Sequence, residues 1–128
     1  MPRTHESSID KQITDLFEQR QMQRRELILC RFCHAPVTTL HDEQEIAGSH
    51  RHYFVNPWGT AYLVGCFERA PGCDIRGSAT RIHSWFPGFS WQVASCTDCG
   101  EHLGWFYQNG EQQQFFGLII DKLARYQG

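Results

Sequence analysis

The chain has 128 residues and a mass of 14.9 kDa, enough for one domain with a real core and none to spare for a second. Twelve Lys and Arg stand against 14 Asp and Glu, a formal charge of -2, so there is no positive field to hold a phosphate backbone or an anionic membrane surface. These values argue against nucleic acid and membranes as partners.

The first 25 residues read as a helical extension and 26–128 as the domain proper. Within 8–24, Ile9, Ile13, Leu16 and Phe17 recur at helical spacing behind Ser7 or Ser8 as a cap. The beginning of the chain lacks the apolar core of a secretion signal, and no apolar run reaches the ~18 residues of a membrane span. A cytoplasmic location is therefore the expectation.

"ELILC" (26–30) predicts a short strand ending in a metal turn, and "CHAPVTTL" leads out of that turn. Residues 38–49 read as a polar loop. From 52 to 70 the alternation of β-branched and aromatic residues predicts a hairpin broken at Pro57-Trp58-Gly59. "PGCDIRGSAT" (71–80) reads as turn-rich. "WQVAS" (91–95) and "HLGWFY" (102–107) predict an antiparallel pair. "QFFGLII" (114–120) reads as a last strand and "DKLARY" (121–126) as a short helical end. The fold class is mainly β.

Two pairs, Cys30-x-x-Cys33 and Cys96-x-x-Cys99, have the spacing of zinc knuckles. Redox pairs or disulfides are the alternatives, but four thiolates around one Zn²⁺ suit the expected compartment better. Sixty-two residues separate the pairs, so the metal would pin a domain together rather than organise a small ribbon. Four thiolates leave no open coordination position for activating water, which makes the predicted site structural. His34 and His102 flank the knuckles and read as outer or surface groups. His50 and His52 share a strand parity, more in keeping with two exposed side chains than with a second metal site.

Aromatic residues make up 13% of the chain, including four tryptophans. "HSWFPGFSW" (83–91) crowds large rings around a Pro-Gly turn, a place where small polar residues are usual. Trp105 and Tyr107 share one strand face, Trp91 opens the partner strand, and Trp85 lies across the turn. Convergence of three indoles would build a cage rather than simple core filling, since Leu or Val fills volume without an N–H to satisfy.

The segments "NPWGTAYLVGCFERAPGC", "GSATRIHSWFPGFSW" and "CTDCGEHLGWFY" through "FFGLI" resemble the CULT domain, the thalidomide-binding domain of cereblon, and its single-domain bacterial relatives, from about Cys30 to Ile120. The resemblance implies a β-tent, two antiparallel sheets at roughly right angles pinned by one structural zinc on Cys30, Cys33, Cys96 and Cys99. It also implies a non-enzymatic pocket for cyclic imides. Its three-tryptophan wall maps onto Trp85, Trp91 and Trp105, and its floor onto Tyr107, where cereblon has Phe. His83 and Ser84 correspond to its hydrogen-bonding pair, and Asn56 and Pro57 to its rim. Trp58 departs from the pattern and either narrows the pocket or caps a turn.

A glutarimide ring has apolar CH₂ faces and an acceptor–donor–acceptor edge. Indoles suit the faces, and a carbonyl with N–H groups from residues 83–85 suits the edge. About eight heavy atoms at ~1 kcal/mol each imply roughly micromolar binding. By resemblance the ligand is a cyclic imide, free or at a protein terminus, or a uridine-like nucleoside. Cereblon's Lon-like and adaptor-binding parts have no room in 128 residues, so ligase-adaptor binding is not expected. Two other readings remain open. One is an enzyme like the methionine-R-sulfoxide reductases, using Cys66 or Cys73 as a nucleophile. The other is a cation–π reader of quaternary ammonium groups.

Overall fold

The computed structural model describes residues 24–110 and 112–126. The amphipathic stretch 8–23, and with it the predicted N-terminal helix, lies outside the described residues.

Among the described residues, nine strands form two antiparallel sheets. They are β1 (Leu27–Cys30), β2 (Pro36–Thr39), β3 (Arg51–Val55), β4 (Ala61–Phe67), β5 (Cys73–Thr80), β6 (Ser90–Cys96), β7 (His102–Asn109), β8 (Gln113–Ile119) and β9 (Leu123–Arg125). The smaller sheet runs β2-β1-β9 and the larger β3-β4-β8-β7-β6-β5. Short 3-10 turns occur at Arg24–Glu26, Leu40–Asp42 and Ile120–Lys122. Among the described residues no helix is long and apolar enough to cross a membrane.

The larger sheet separates two apolar clusters. Period-2 alternation sends Phe116 and Leu118 of β8 to one cluster with Phe67, Leu103, Phe106, Ile28 and Val37, and sends Phe115 to the other with Cys66, Phe86, Phe89 and Tyr107. The first cluster joins the two sheets; the second lies beneath the aromatic turn 83–91.

On β7 the alternation is reset by a bulge. Ala94 pairs with Gly104 but the next residue, Ser95, pairs with His102, so Leu103 is the extra residue. Leu103 and Phe106 therefore share one cluster while Trp105 and Tyr107 face the other way. Gly104 is required here, because a Cβ would stand 2.1 Å from the Gly117 carbonyl oxygen on β8. Gly104→Ala is expected to destabilise the domain by about 1–3 kcal/mol, since the obstacle is backbone and cannot rotate away. A thermal melt with no loss of stability would contradict that.

Three sequence expectations are corrected. Residues 71–80 are not merely turns: β5 pairs with β6 from Cys73↔Cys96 to Arg76↔Val93, then slips to Thr80↔Trp91 with Gly77 at φ +80° inside the irregularity. Gly and Pro marked that bulge and the turn before it, and masked the edge strand. Residues 123–125 are strand, not helix, because β9 pairs with β1 (Cys30↔Leu123) and tertiary pairing outweighs the local helical preference of a three-residue piece. The 38–49 stretch begins on buried Thr38, Thr39 and Asp42. Thr38 Oγ1 donates to the Arg69 carbonyl (2.6 Å), and Thr39 Oγ1 donates to Asp42 Oδ2 (2.9 Å), so polar composition here reflects a satisfied internal network.

Candidate functional site: an aromatic cage beside a four-cysteine metal centre

Cys30 ends β1 and Cys96 ends β6, and each is followed by a tight turn carrying the second thiol, Cys33 or Cys99. The turns are built alike. In one, His34 N donates to the Cys30 carbonyl and Cys30 N to the Ala35 carbonyl; in the other, Gly100 N donates to the Cys96 carbonyl and Cys96 N to the Glu101 carbonyl. His34 (φ 64°) and Gly100 (φ 81°) hold the same left-handed position.

Four sulfurs result that lie within 4.8 Å of one another, with Cys33–Cys96 at 3.5 Å and Cys30–Cys99 at 3.7 Å. All six cysteines of the chain are free of disulfides. Four soft donors converging on one point fit a single tetrahedral zinc, which leaves no position for water and serves as a cross-link between the two sheets. Among the described residues these four form the only group of three or more metal-ligating side chains so placed.

The flanking histidines have other work. His34 is exposed. The half-buried His102 places Nε2 2.9 Å from the Gly104 carbonyl and packs edge-on against Trp105 at 5.1 Å. Burial, with the nearby Lys122 ammonium, lowers its pKa from the ordinary 6.5, so it stays neutral further into acid. His50 and His52 are not the exposed pair expected. His50 Nδ1 faces the Gln44 carbonyl at 3.2 Å; His52 Nε2 lies near the Ile46 and Ser49 carbonyls, and its ring stacks on Phe54.

Along the same β6–β7 pair, Trp91 sits directly opposite Tyr107, and Trp105 lies two residues along on the same face. Trp85 comes from the 83–91 turn. Its ring meets Trp105 edge to face (4.9 Å, 82°) and is backed by Phe54, stacked at 4.8 Å and 9°. The Trp91 indole donates Nε1–H to the Ile82 carbonyl at 2.8 Å, which satisfies it and ties down the entrance to the turn. Tyr107, 2% exposed, stacks on Phe115 and meets the edge of Phe86. Its burial raises the phenol pKa above the ordinary 10, so the hydroxyl stays protonated.

These side chains enclose a cavity of about 180 Å³ lined by Asn56, Pro57, Trp58, Tyr62, His83, Trp85, Trp91, Trp105 and Tyr107. The three indoles are half-buried walls of this hollow. Ser84, grouped with the site by resemblance, is absent from the lining; its hydroxyl donates to the Phe86 carbonyl at 3.1 Å and holds the turn. The Ser84 N–H is committed to the Arg81 carbonyl. Among the described residues, nothing takes up the His83 carbonyl or the Trp85 N–H, which flank it.

Sequence reasoning missed Tyr62 and Phe54, which pair directly across the β3–β4 hairpin. Tyr62 contacts both Trp85 (5.6 Å) and Trp105 (5.5 Å). The available clue was its shared parity with Cys66 in β4, a strand face that ends in the cage cluster.

No protein-family profile matches the chain. Pairwise similarity is specific, however. Residues of this chain match cereblon from Gallus gallus at 34% identity over 74 residues, from Danio rerio at 31% over 74, and from Drosophila melanogaster at 28% over 102. The matches cover 55%, 55% and 72% of this chain. Over these stretches the chain is cereblon-like. The matched stretch amounts to 17% of each of these relatives, so the similarity concerns one region of a much longer protein. Within this cereblon-like domain, the metal centre and the aromatic cage share the β6–β7 hairpin.

The remaining cysteines do not resemble nucleophiles. Cys66 is fully buried and Cys73 faces Cys96 across the β5–β6 pair. Burial pushes both thiols up to about 12, and neither lines the cavity. With its folded pKa raised from 9.0, Cys66 contributes stability that is present below about pH 9 and is lost as the pH rises toward 12. Iodoacetamide at pH 8 is therefore expected to leave Cys66 unmodified in the folded protein and to alkylate it after denaturation, read by peptide mass. Rapid labelling of the folded protein would contradict this.

Proposed function

We propose that this domain is a non-enzymatic binding module that reads a cyclic imide, as a free ring or as the end group of a polypeptide. One observation carries the reading: three half-buried indoles and a buried tyrosine wall an open, apolar hollow of about 180 Å³. The indole faces match the CH₂ faces of the ring. The His83 carbonyl and the Trp85 N–H supply an acceptor and a donor beside the cage, matching the imide N–H and one imide oxygen. The likeness to cereblon supports the same reading.

Among the described residues the lining contains no carboxylate, which tells against a quaternary ammonium ligand, since only the ring quadrupoles there face its charge. The fully buried Cys66 and the half-buried Cys73, both held protonated, tell against sulfoxide reduction. Ligase-adaptor, nucleic-acid and membrane binding form no part of this proposal, and the domain is placed in the cytoplasm.

Titration with glutarimide, followed by tryptophan fluorescence, is expected to saturate in the micromolar range, about 8 kcal/mol for a ligand of this size. Trimethyl-lysine in parallel is expected to leave the signal unchanged. Quenching by the ammonium ligand alone would replace the imide reading with a cation cage.

A further inference from the structure

Trp58 is 82% exposed, yet it lines the cavity. The turn that carries it does not need an indole. Asn56 Oδ1 accepts from Trp58 N (3.0 Å) and Thr60 N (2.8 Å), Asn56 N donates to the Thr60 carbonyl, and Gly59 supplies the left-handed residue at φ 90°. Every one of these bonds involves the backbone of residue 58 or its neighbours, so turn capping leaves the large side chain unexplained.

On the connection between β5 and β6, Ile82, 68% exposed, is the residue before His83, which lines the cavity. Its backbone is fixed at both ends: Ile82 N donates to Thr80 Oγ1 (3.1 Å) and its carbonyl accepts the Trp91 indole N–H (2.8 Å). Next to it, His83 meets Trp58 edge to face at 6.5 Å. Single exposed apolar side chains are ordinary, but Trp58 lines the cavity, and Ile82 sits on an anchored loop beside the His83 that meets Trp58.

We propose that Trp58 and Ile82 form an outer shelf for the group attached to the ring, so that the site selects a polypeptide end in which an apolar or aromatic residue precedes the terminal imide. The inference rests on the cage reading above and extends it from the ring to its substituent. The small hollow accommodates the ring; the rest of the ligand must leave through the mouth, past Trp58. A free ring or a glycine in that position gains nothing from the shelf, whereas a phenylalanine side chain can cover the indole and Ile82. Anchored loops make the contact without an ordering cost.

Calorimetric titration of the intact protein with glutarimide, N-acetyl-Gly-3-aminoglutarimide and N-acetyl-Phe-3-aminoglutarimide tests this. The Phe ligand is expected to bind about tenfold tighter than the Gly ligand, the order of one good aromatic contact. In Trp58→Ala that ratio is expected to fall to about twofold or less, and in Ile82→Ser to an intermediate value, each relative to that variant's own Gly ligand. Equal affinity for the two peptides in the unaltered protein overturns the shelf, and so does a tenfold ratio that survives Trp58→Ala. Failure of every imide to bind, glutarimide included, overturns the cage reading itself and the shelf with it.

Discussion

Replacing Trp85 with alanine is expected to remove measurable glutarimide binding while leaving one zinc per chain. Trp85 is the wall that other walls lean on: Phe54 backs it, and Trp105 and Tyr62 both touch it. Truncation strips the ligand of a face-sized apolar contact and opens the hollow to water on that side. A central aromatic anchor of this kind is worth about 2–4 kcal/mol, roughly 30- to 1,000-fold in affinity, which carries a micromolar ligand out of range. The four sulfurs belong to other turns, so the metal content separates loss of the wall from loss of the fold. Trp105→Ala is expected to act alike, because that indole also rests on His102 and Tyr62. Undiminished binding by either variant would mean that the rings are packing and not a receptor.

Stripping zinc with a strong chelator, or Cys96→Ser, is expected to abolish the cooperative thermal transition near its normal temperature. Four thiols this close, two of them on fully or nearly fully buried residues, repel one another once ionised, and a divalent cation among them offsets that repulsion. Structural zinc contributes apparent energies of about 10–16 kcal/mol in small zinc modules, comparable with the ~5–15 kcal/mol net stability of a whole domain. The two sheets here also share an apolar cluster, so collapse is expected to leave residual compact structure but not the ordered near-ultraviolet signal of the indoles. Retention of a sharp transition and of imide binding in metal-free protein would show the centre to be dispensable.

Much of this was legible in the residues, for identifiable reasons. The two CxxC pairs specify a donor set by chemistry alone, and the fold brings their sulfurs together. Trp105 and Tyr107 share a face because strand parity fixes it, and Trp91 reaches them because antiparallel pairing places it opposite Tyr107. What escaped depended on partners distant in sequence. β9 is a strand because β1 lies beside it, and nothing in "LAR" requires that. β5 was hidden by Gly77 within it and by Pro71 and Gly72 just before it. Tyr62 and Phe54 enter the cage only once the β3–β4 hairpin is laid against the 83–91 turn, a contact with no local signature. The left-handed backbone of His34 was equally invisible, since only its counterpart carries the glycine that announces such a residue.

The β6–β7 hairpin ends at one tip in a metal corner and carries three of the cage's rings along its length. Two equilibria that engage the same native hairpin are linked, and linkage is reciprocal. An occupied cage should therefore slow the escape of the ion to a competing chelator, and the chelator's colour change would become a clock on which unlabelled compounds can be ranked.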